Sequence, residues 1–364
     1  MKLSLNLLAY IMLPVVTIAQ ELVHKTSFKD IEYVSSITWQ GQNIYCSGTT
    51  YRTKYDDGYS TNAYLINYNL SLKPQWTLKL ADHNTSDINS VIRHQDRIYA
   101  LVSQGKSDRA GKDIILSLYV IRPDGSIEKK VTIGKTFYTP TNISIEGKQL
   151  VFGHTTKEGR DYTSPTIPEL IRYDLATGKI TRNKGSQVTS APKRTITSPK
   201  GIFQITSHLL PGKPNIISLR NGSYSELSLN APKKEYFLDS YINGNILTVV
   251  CTFPGVYGDM QQYLKYYYLD LSTNKVTSNA ILLADLGWKR IRFSAANHGN
   301  ASWLTVEEAS TKTVKYVLVD SKGTIKKTMK FDISNGDDDT EHFITEQDQL
   351  LKASSNGIYL YRNR

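Results

Sequence analysis

The chain reads as an all-β protein, and three features of the sequence say so. Short runs rich in Tyr, Ile, Val and Leu alternate with tight polar turns, as in NIYCSG, RIYALVS and QLVFGH. Segments with a 3.6-residue apolar period are nearly absent. The turns also recur at a regular interval, the mark of a repeat architecture.

The N-terminal end stands apart from that pattern. Lys2 precedes the apolar run LSLNLLAYIMLPVVTIA, which closes on Thr17-Ile18-Ala19 before Gln20. A positive start, a short apolar stretch and small residues at its end predict a signal peptide over 1–19. A retained membrane anchor is the alternative, but Ser4, Asn6 and Pro14 interrupt the run and no basic cluster follows it. No cysteine follows the expected cut, so a lipid anchor is not expected. The reading is a secreted or periplasmic protein with residues 20–364 as one domain and no transmembrane anchor in the processed chain. Its two cysteines, Cys46 and Cys251, sit in apolar strand-like runs and read as buried free thiols, so no disulfide framework is expected.

Two sets of turns organise the rest. The first is Gly41-Gln42, Gln95-Asp96, Gly147-Lys148, Pro199-Lys200, Gly244-Asn245, Gly299-Asn300 and Gln347-Asp348. The second follows each by a few tens of residues: NLSLK (69–73), RPDGS (122–126), LATGK (175–179), RNGS (220–223), LSTNK (271–275) and DSKGT (320–324). The first set has seven members and the second six. The final unit, EHFITEQDQLLKASSNGIYLYRNR, supplies three strands, and the unassigned segment ELVHKTSFK near the N-terminus is the candidate fourth. Four strands per period, about 49 residues each, match the blades of a β-propeller. The expected fold is a seven-bladed β-propeller of four-stranded antiparallel blades, the last closed by the N-terminal strand. A stack of separate β-sandwiches is the alternative, without a linker to support it.

The resemblance is to seven-bladed β-propellers in general. Tyr173-Asp-Leu-Ala-Thr-Gly-Lys-Ile180 and Tyr268-Leu-Asp-Leu-Ser-Thr-Asn-Lys-Val276 are similar to the strand-turn phrase of quinoprotein-like and YncE-like propellers. That phrase carries turn geometry, and no activity comes with it. The WD dipeptide, the kelch double glycine and the Asp-box of sialidase-like propellers are missing.

The net charge is +11, from 44 basic and 33 acidic residues. A basic chain invites a nucleic-acid or acidic-glycan partner. The positions assigned to the outermost strand of each blade, in runs such as SIEKKVT and GTIKKTMK, hold most of the excess. Lysine there discourages edge-to-edge pairing, which explains the charge without a polyanion. No nucleic-acid motif accompanies it, and nucleic acid is not an expected partner.

Three connections between second and third strands read as long loops, residues 48–62, 154–169 and 252–265, on the face where propellers present ligands. They and the blade-to-blade connections nominate Tyr51, Arg52, Tyr55, His154, Arg160, Tyr162, His208, Tyr257, Trp288 and Arg290 as ligand-binding residues. Aromatic planes beside guanidinium forks suit sugars, which stack on rings and accept hydrogen bonds. The expected function is recognition of a carbohydrate-like or peptide ligand without catalysis. Two alternatives stay open: a polysaccharide lyase or glycoside hydrolase using His154 or His208 with Tyr162 and Arg160, and a cell-envelope scaffold that docks a protein partner. No HxH, HExxH, calcium-loop or G-x-S-x-G motif is present, and no metal or cofactor is expected.

Overall fold

The computed structural model describes residues 17–18, 20–29, 31–55, 58–81, 85–105, 114–136, 143–157, 166–184, 190–198, 201–208, 215–220, 223–229, 235–252, 263–282, 295–298, 301–308, 313–320, 324–332, 341–344, 349–354 and 356–363. Over these the chain is strand and turn, and the turns at 41–42, 69–73, 95–96, 122–126, 147–148, 175–179, 244–245 and 271–275 each join two strands; those at 199–200, 221–222, 299–300, 321–323 and 347–348 lie outside the described residues. No described segment is a helix long and apolar enough to cross a membrane.

The chain opens with β1 (Thr17–Ile18) and β2 (Gln20–Thr26) and then builds six sheets in sequence order. The first holds β3 (Tyr33–Gln40), β4 (Asn43–Tyr55), β5 (Gly58–Asn69) and β6 (Pro74–Leu80). The second holds β7 (Thr85–His94), β8 (Arg97–Gly105), β9 (Ile115–Ile121) and β10 (Ile127–Lys135). The third holds β11 (Ile143–Glu146), β12 (Gln149–Lys157), β13 (Thr166–Asp174) and β14 (Ile180–Lys184). The fourth holds β15 (Ser190–Ser198), β16 (Gly201–His208), β17 (Asn215–Arg220) and β18 (Ser223–Ser228). The fifth holds β19 (Tyr236–Asn243), β20 (Ile246–Thr252), β21 (Tyr263–Asp270) and β22 (Val276–Leu282). The sixth holds β23 (Ala295–His298), β24 (Ala301–Glu308), β25 (Thr313–Asp320) and β26 (Ile325–Asp332), with β1 laid parallel along β26.

The seventh sheet joins the two ends of the chain. β27 (Glu341–Ile344), β28 (Leu350–Ser354) and β29 (Gly357–Asn363) are followed in the sheet by β2, which runs antiparallel to β29 from Gln20↔Asn363 to Thr26↔Ile358. The fold is a β-propeller with four-stranded antiparallel blades, and the absent seventh turn has its cause here. Gly357 permits the junction. Its φ is +143°, and a Cβ there would stand 2.0 Å from the backbone oxygen of Thr26.

Central strands are apolar on both faces because each blade packs on two neighbours. Tyr45 of β4 joins Ile98, Ala100 and Val102 of the second blade, while its neighbours Ile44 and Cys46 pack with Leu351, Ile358 and Leu360 of the seventh. Tyr99 and Leu101 of β8 turn the other way, onto Leu150, Phe152 and Ile171 of the third blade. Side chains alternate along a strand, so an unbroken apolar run fills two interfaces at once. Cys46 and Cys251 are both buried and free.

Side-chain caps hold the turns between third and fourth strands. Asp174 Oδ1 accepts from the N–H groups of Ala176 and Thr177, and Asp270 Oδ1 from those of Ser272 and Thr273. Asn69 and Asp320 occupy the same place in their turns, Asp124 lies two residues further into its own, and all three accept from backbone N–H groups. These Asx turns are why the phrase repeats. Outer strands staple the next blade: Trp76 of β6 donates its indole N–H to Pro123 O at 2.7 Å and packs against Gly125, where a Cβ would meet its ring.

The outer-strand lysines have a structural use beyond guarding edges. Lys79, Lys130 and Lys25 lie over the rings of Tyr64, Tyr119 and Tyr359, at 5.5, 5.2 and 5.2 Å from the centroids. Each lysine stands directly across from its tyrosine in the strand register. Cation–π pairs of this kind cover buried aromatic faces with long side chains whose ends stay near water.

Gly357→Ala should therefore destabilise the protein by about 3 kcal/mol, read as a shift of the urea-unfolding midpoint, because the added carbon meets backbone that cannot rotate away. Amide exchange should accelerate over residues 20–26 before it does elsewhere. An unchanged midpoint would show that the junction holds without that close approach.

Candidate functional site

The edge carrying the connections between second and third strands is the place to look for a site, and the first blade departs from the others there. β4 and β5 pair from Asn43↔Asn69 to Tyr55↔Gly58, with one register shift at Arg52. β3 accompanies β4 only to Thr49, and β6 meets β5 only from Ala63. Beyond those points the two middle strands continue as a two-stranded arm, residues 50–55 and 58–62, about 20 Å long at the usual rise per residue. The segment expected to be a loop over 48–62 is thus mostly strand. Its Thr and Tyr residues are polar enough to read as loop, yet both types favour the extended backbone. Strand also runs into the other two expected loops, to Lys157 and from Thr166, and from Tyr263.

The arm is braced against the second blade. Thr61 Oγ1 donates to the backbone oxygen of Ser86 and accepts from its N–H, both at 3.1 Å. Ser86 is the second residue of the innermost strand β7, so the foot of the arm lies beside the inner edge of blades one and two.

At that foot the inner strands bulge. The register between β3 and β4 shifts at Ser35, and that between β7 and β8 at Asn89. Matching shifts occur at Lys193 and Leu238 in the fourth and fifth blades, each the same distance before its inner turn. Bulges bend a strand and re-aim a side chain. Here Ser35 Oγ donates to Asp87 Oδ1 at 2.8 Å, bridging the inner strands of two blades. Burial pushes the Asp87 carboxyl above its ordinary value, while bonds from Ser35 and the Ile88 backbone pull it back only in part. Asn89 donates its amide to Ser103 Oγ at 2.8 Å, and Ser90 Oγ accepts from the Ile143 N–H. Tyr33, the first residue of β3, is 47% exposed. Behind this row Gln104 Nε2 donates to Ser86 Oγ, and Gln104 Oε1 accepts from Tyr119 and Lys130.

A different arrangement occupies the junction of blades two and three. His154 is 1% exposed, with Nδ1 3.1 Å from Glu169 Oε2 and Nε2 3.0 Å from the Lys135 backbone oxygen. His154 and Glu169 face each other across β12 and β13. Arg182 and Lys184 pair with the same carboxylate, and Arg182 also donates to the Ile133 backbone oxygen. Burial holds His154 below its ordinary 6.5, outweighing the pull of Glu169. Burial alone would raise Glu169, but its bonds to His154 and Arg182 win and hold it below 4.5.

The fifth blade repeats the position with opposite charge. Cys251 stands where His154 does and pairs across the strands with Lys265. Lys265 Nζ is 3.4 Å from Glu235 and 4.7 Å from the Tyr267 ring, and Tyr267 donates to Glu235. Burial and the Glu235 charge push the Cys251 thiol well up, leaving it protonated and unreactive at neutral pH.

The sequence-nominated residues separate accordingly. Tyr51, Arg52 and Tyr55 lie on the arm, and His208 ends β16. His154 belongs to a buried inter-blade junction with both ring nitrogens on protein oxygens. Arg160, Tyr162, Tyr257, Trp288 and Arg290 lie outside the described residues. Glu307 and Glu308 are in strand, opposite Val314 and Thr313. Among the described residues no group of three or more His, Cys, Asp or Glu could hold a metal ion. Sequence reasoning missed Tyr33, Ser35, Asp87 and Asn89. The available signal was an aspartate inside a strand, where that residue is depleted.

No protein-family model matches the chain, and no curated protein sequence does. Solved structures do resemble it. A streptogramin B lyase aligns with TM-score 0.55 and 10% identity over 95% of this chain and 98% of that one. The β-propeller domain of the Trilobed protease from Pyrococcus furiosus gives 0.54 and 12%, over 92% and 94%. The acylaminoacyl peptidase of Pyrococcus horikoshii gives 0.52 and 12%, over 91% of this chain and 52% of that one. Identity this low shows a shared fold.

The His154 cluster sets a direction for pH dependence. His154 and Glu169 both titrate lower in the fold than in the unfolded chain, so the unfolded chain binds more protons in acid. Stability from the cluster should be complete above about pH 6.5 and decline as pH falls, first through His154 and then through Glu169. Glu169→Gln should cost about 3 kcal/mol at pH 7 by leaving Arg182 without its counter-charge and the buried neutral ring without its carboxylate partner. Thermal melts from pH 8 to 4 check both; a melting temperature unaffected between pH 7 and 5 would remove His154 from the account.

Proposed function

We propose that the protein is an exported recognition propeller that binds a carbohydrate-like ligand, without transforming it, on the face that carries the connections between second and third strands. One observation carries the reading: the arm of residues 50–62, which projects past its own sheet and is tied at its foot to the inner strand of the next blade. A strut of this kind adds surface at a fixed place, and its sequence supplies Tyr51, Arg52, Tyr55 and Tyr59. Aromatic and guanidinium groups on a rigid support suit a polyhydroxylated ligand. Export is supported by the character of residues 1–19.

The lyase or hydrolase reading loses support at His154. A general base must reach the proton that it abstracts. His154 is buried with one nitrogen toward Glu169 and the other toward Lys135 O, and the cations beside it are already paired with the same glutamate. A cluster so committed holds two blades together.

Removing the arm tests the reading. Residues 52–60 can be replaced by an Asn-Gly turn joining Tyr51 to Thr61, which face each other in register and leave the Thr61 brace in place. On a panel of neutral, amino and acidic oligosaccharides the wild-type chain should bind at least one class. The shortened chain should lose about tenfold or more in affinity with its melting temperature nearly unchanged. Undiminished binding by the shortened chain would overturn the assignment of this face.

A further inference from the structure

We propose that the inner edge of blades one and two holds an acceptor-rich subsite, Tyr33, Ser35, Asp87 and Asn89, that selects neutral or amino sugars over acidic ones. The proposal rests on the recognition reading above and names the class of ligand for that face.

The geometry assembles from two adjacent inner strands. Ser35 and Asp87 touch at 2.8 Å, and Tyr33 and Asn89 are each two residues from one member of that pair. Along an extended strand that separation is about 7 Å, the span of a single pyranose ring. Both strands bulge at this level, at Ser35 and at Asn89. Tyr33 contributes one of the few large apolar surfaces left exposed among the described residues. A tyrosine ring in that position can stack on the C–H face of a sugar.

The polarity of the subsite follows from how its groups are already used. Ser35 spends its hydroxyl proton on Asp87, so its oxygen is left as an acceptor. Asn89 uses one of its two amide N–H groups on Ser103, which leaves its carbonyl oxygen and one N–H. Asp87 is bonded to Ser35 and to the Ile88 backbone N–H, and among the described residues no cation pairs with it. Nearby Lys130 is occupied by Gln104 and the Tyr119 ring. Through Asp87, Ser35 and the Asn89 carbonyl the edge therefore offers more oxygen lone pairs than donors and favours ligands that donate. Sugar hydroxyls and ammonium groups supply donors; a uronate carboxylate would sit against the Asp87 charge and be repelled.

This specificity is opposite to what net charge suggests. A chain of +11 invites acidic partners, but much of its basic excess lies on outer strands, where lysines cover tyrosine rings or pair with Glu169. The inner edge sees a local field set by Asp87.

Calorimetric titration of the full exported chain with chitosan oligomers, cello-oligosaccharides and oligogalacturonate tests the proposal. At least one of the first two should bind about tenfold or more tighter than the uronide. Asp87→Asn keeps an acceptor for Ser35, so the fold is retained; it should weaken the amino sugar about tenfold and narrow the gap to the uronide. Tyr33→Ala, at an exposed position, should weaken every sugar that binds. Equal or tighter binding of the uronide, or affinities that ignore both substitutions, overturns the subsite. If the shortened-arm chain still loses binding in that case, the recognition reading survives; if the wild-type chain binds no saccharide, both fall.

Discussion

The hydrogen bonds between β2 and β29 are the constraint on which the rest of the structure depends. A sheet edge left bare exposes a row of backbone donors and acceptors, and in a ring of blades such an edge also leaves an interface half built. With the N-terminal strand in place, the last sheet presents Leu351, Ala353, Ile358 and Leu360 to Ile37, Ile44 and Cys46 of the first. The two ends of the chain thereby hold each other, and the first blade acquires a neighbour on both sides. The position of the arm and of the inner edge beside it follows, because both belong to the first blade and the one after it.

Polar groups are distributed by the same logic. Toward the outside, lysines lie across tyrosine rings, which lets a basic chain carry its charge without leaving aromatic faces bare. Between blades, two sets of buried charge are closed on themselves: His154, Glu169 and Arg182 at one junction, Lys265, Glu235 and Tyr267 at another. Such groups are tolerated in a low-dielectric interface only when their partners are present. Asp87 differs from both sets. It is partly buried, has a hydroxyl and a backbone N–H for company, and lacks a bonded cation among the described residues. A carboxylate kept in that state on an inner strand is better suited to meeting something from solution than to holding blades together.

Much of the fold was legible in the sequence because turns are local. Asp174 and Asp270 cap their own turns through atoms two and three residues away, and Asn274 adopts its positive φ within the same few residues. A phrase whose geometry is written over six residues can be read from six residues. The count of turns was enough to pair the first strand with the last, since an odd strand left over must bond somewhere. The site was harder to read. TTYRTKY looked like a loop because polarity was taken for irregularity, when Thr and Tyr pair well as strands. His154 looked like a surface candidate, and nothing within its own strand says that a carbonyl from Lys135 of the preceding blade meets its ring.

Sequence alone thus determined the strand content, the turn positions, the number of blades and the source of the closing strand, all of which rest on short-range backbone preferences and a period. Tertiary structure alone decided which polar residues became buried partners and which stayed open. Whether a histidine is shielded, or a serine reaches an aspartate 52 residues away, depends on how neighbouring blades are rotated against each other. That rotation is a property of the packed ring, set by many side chains at once, and no single segment contains it.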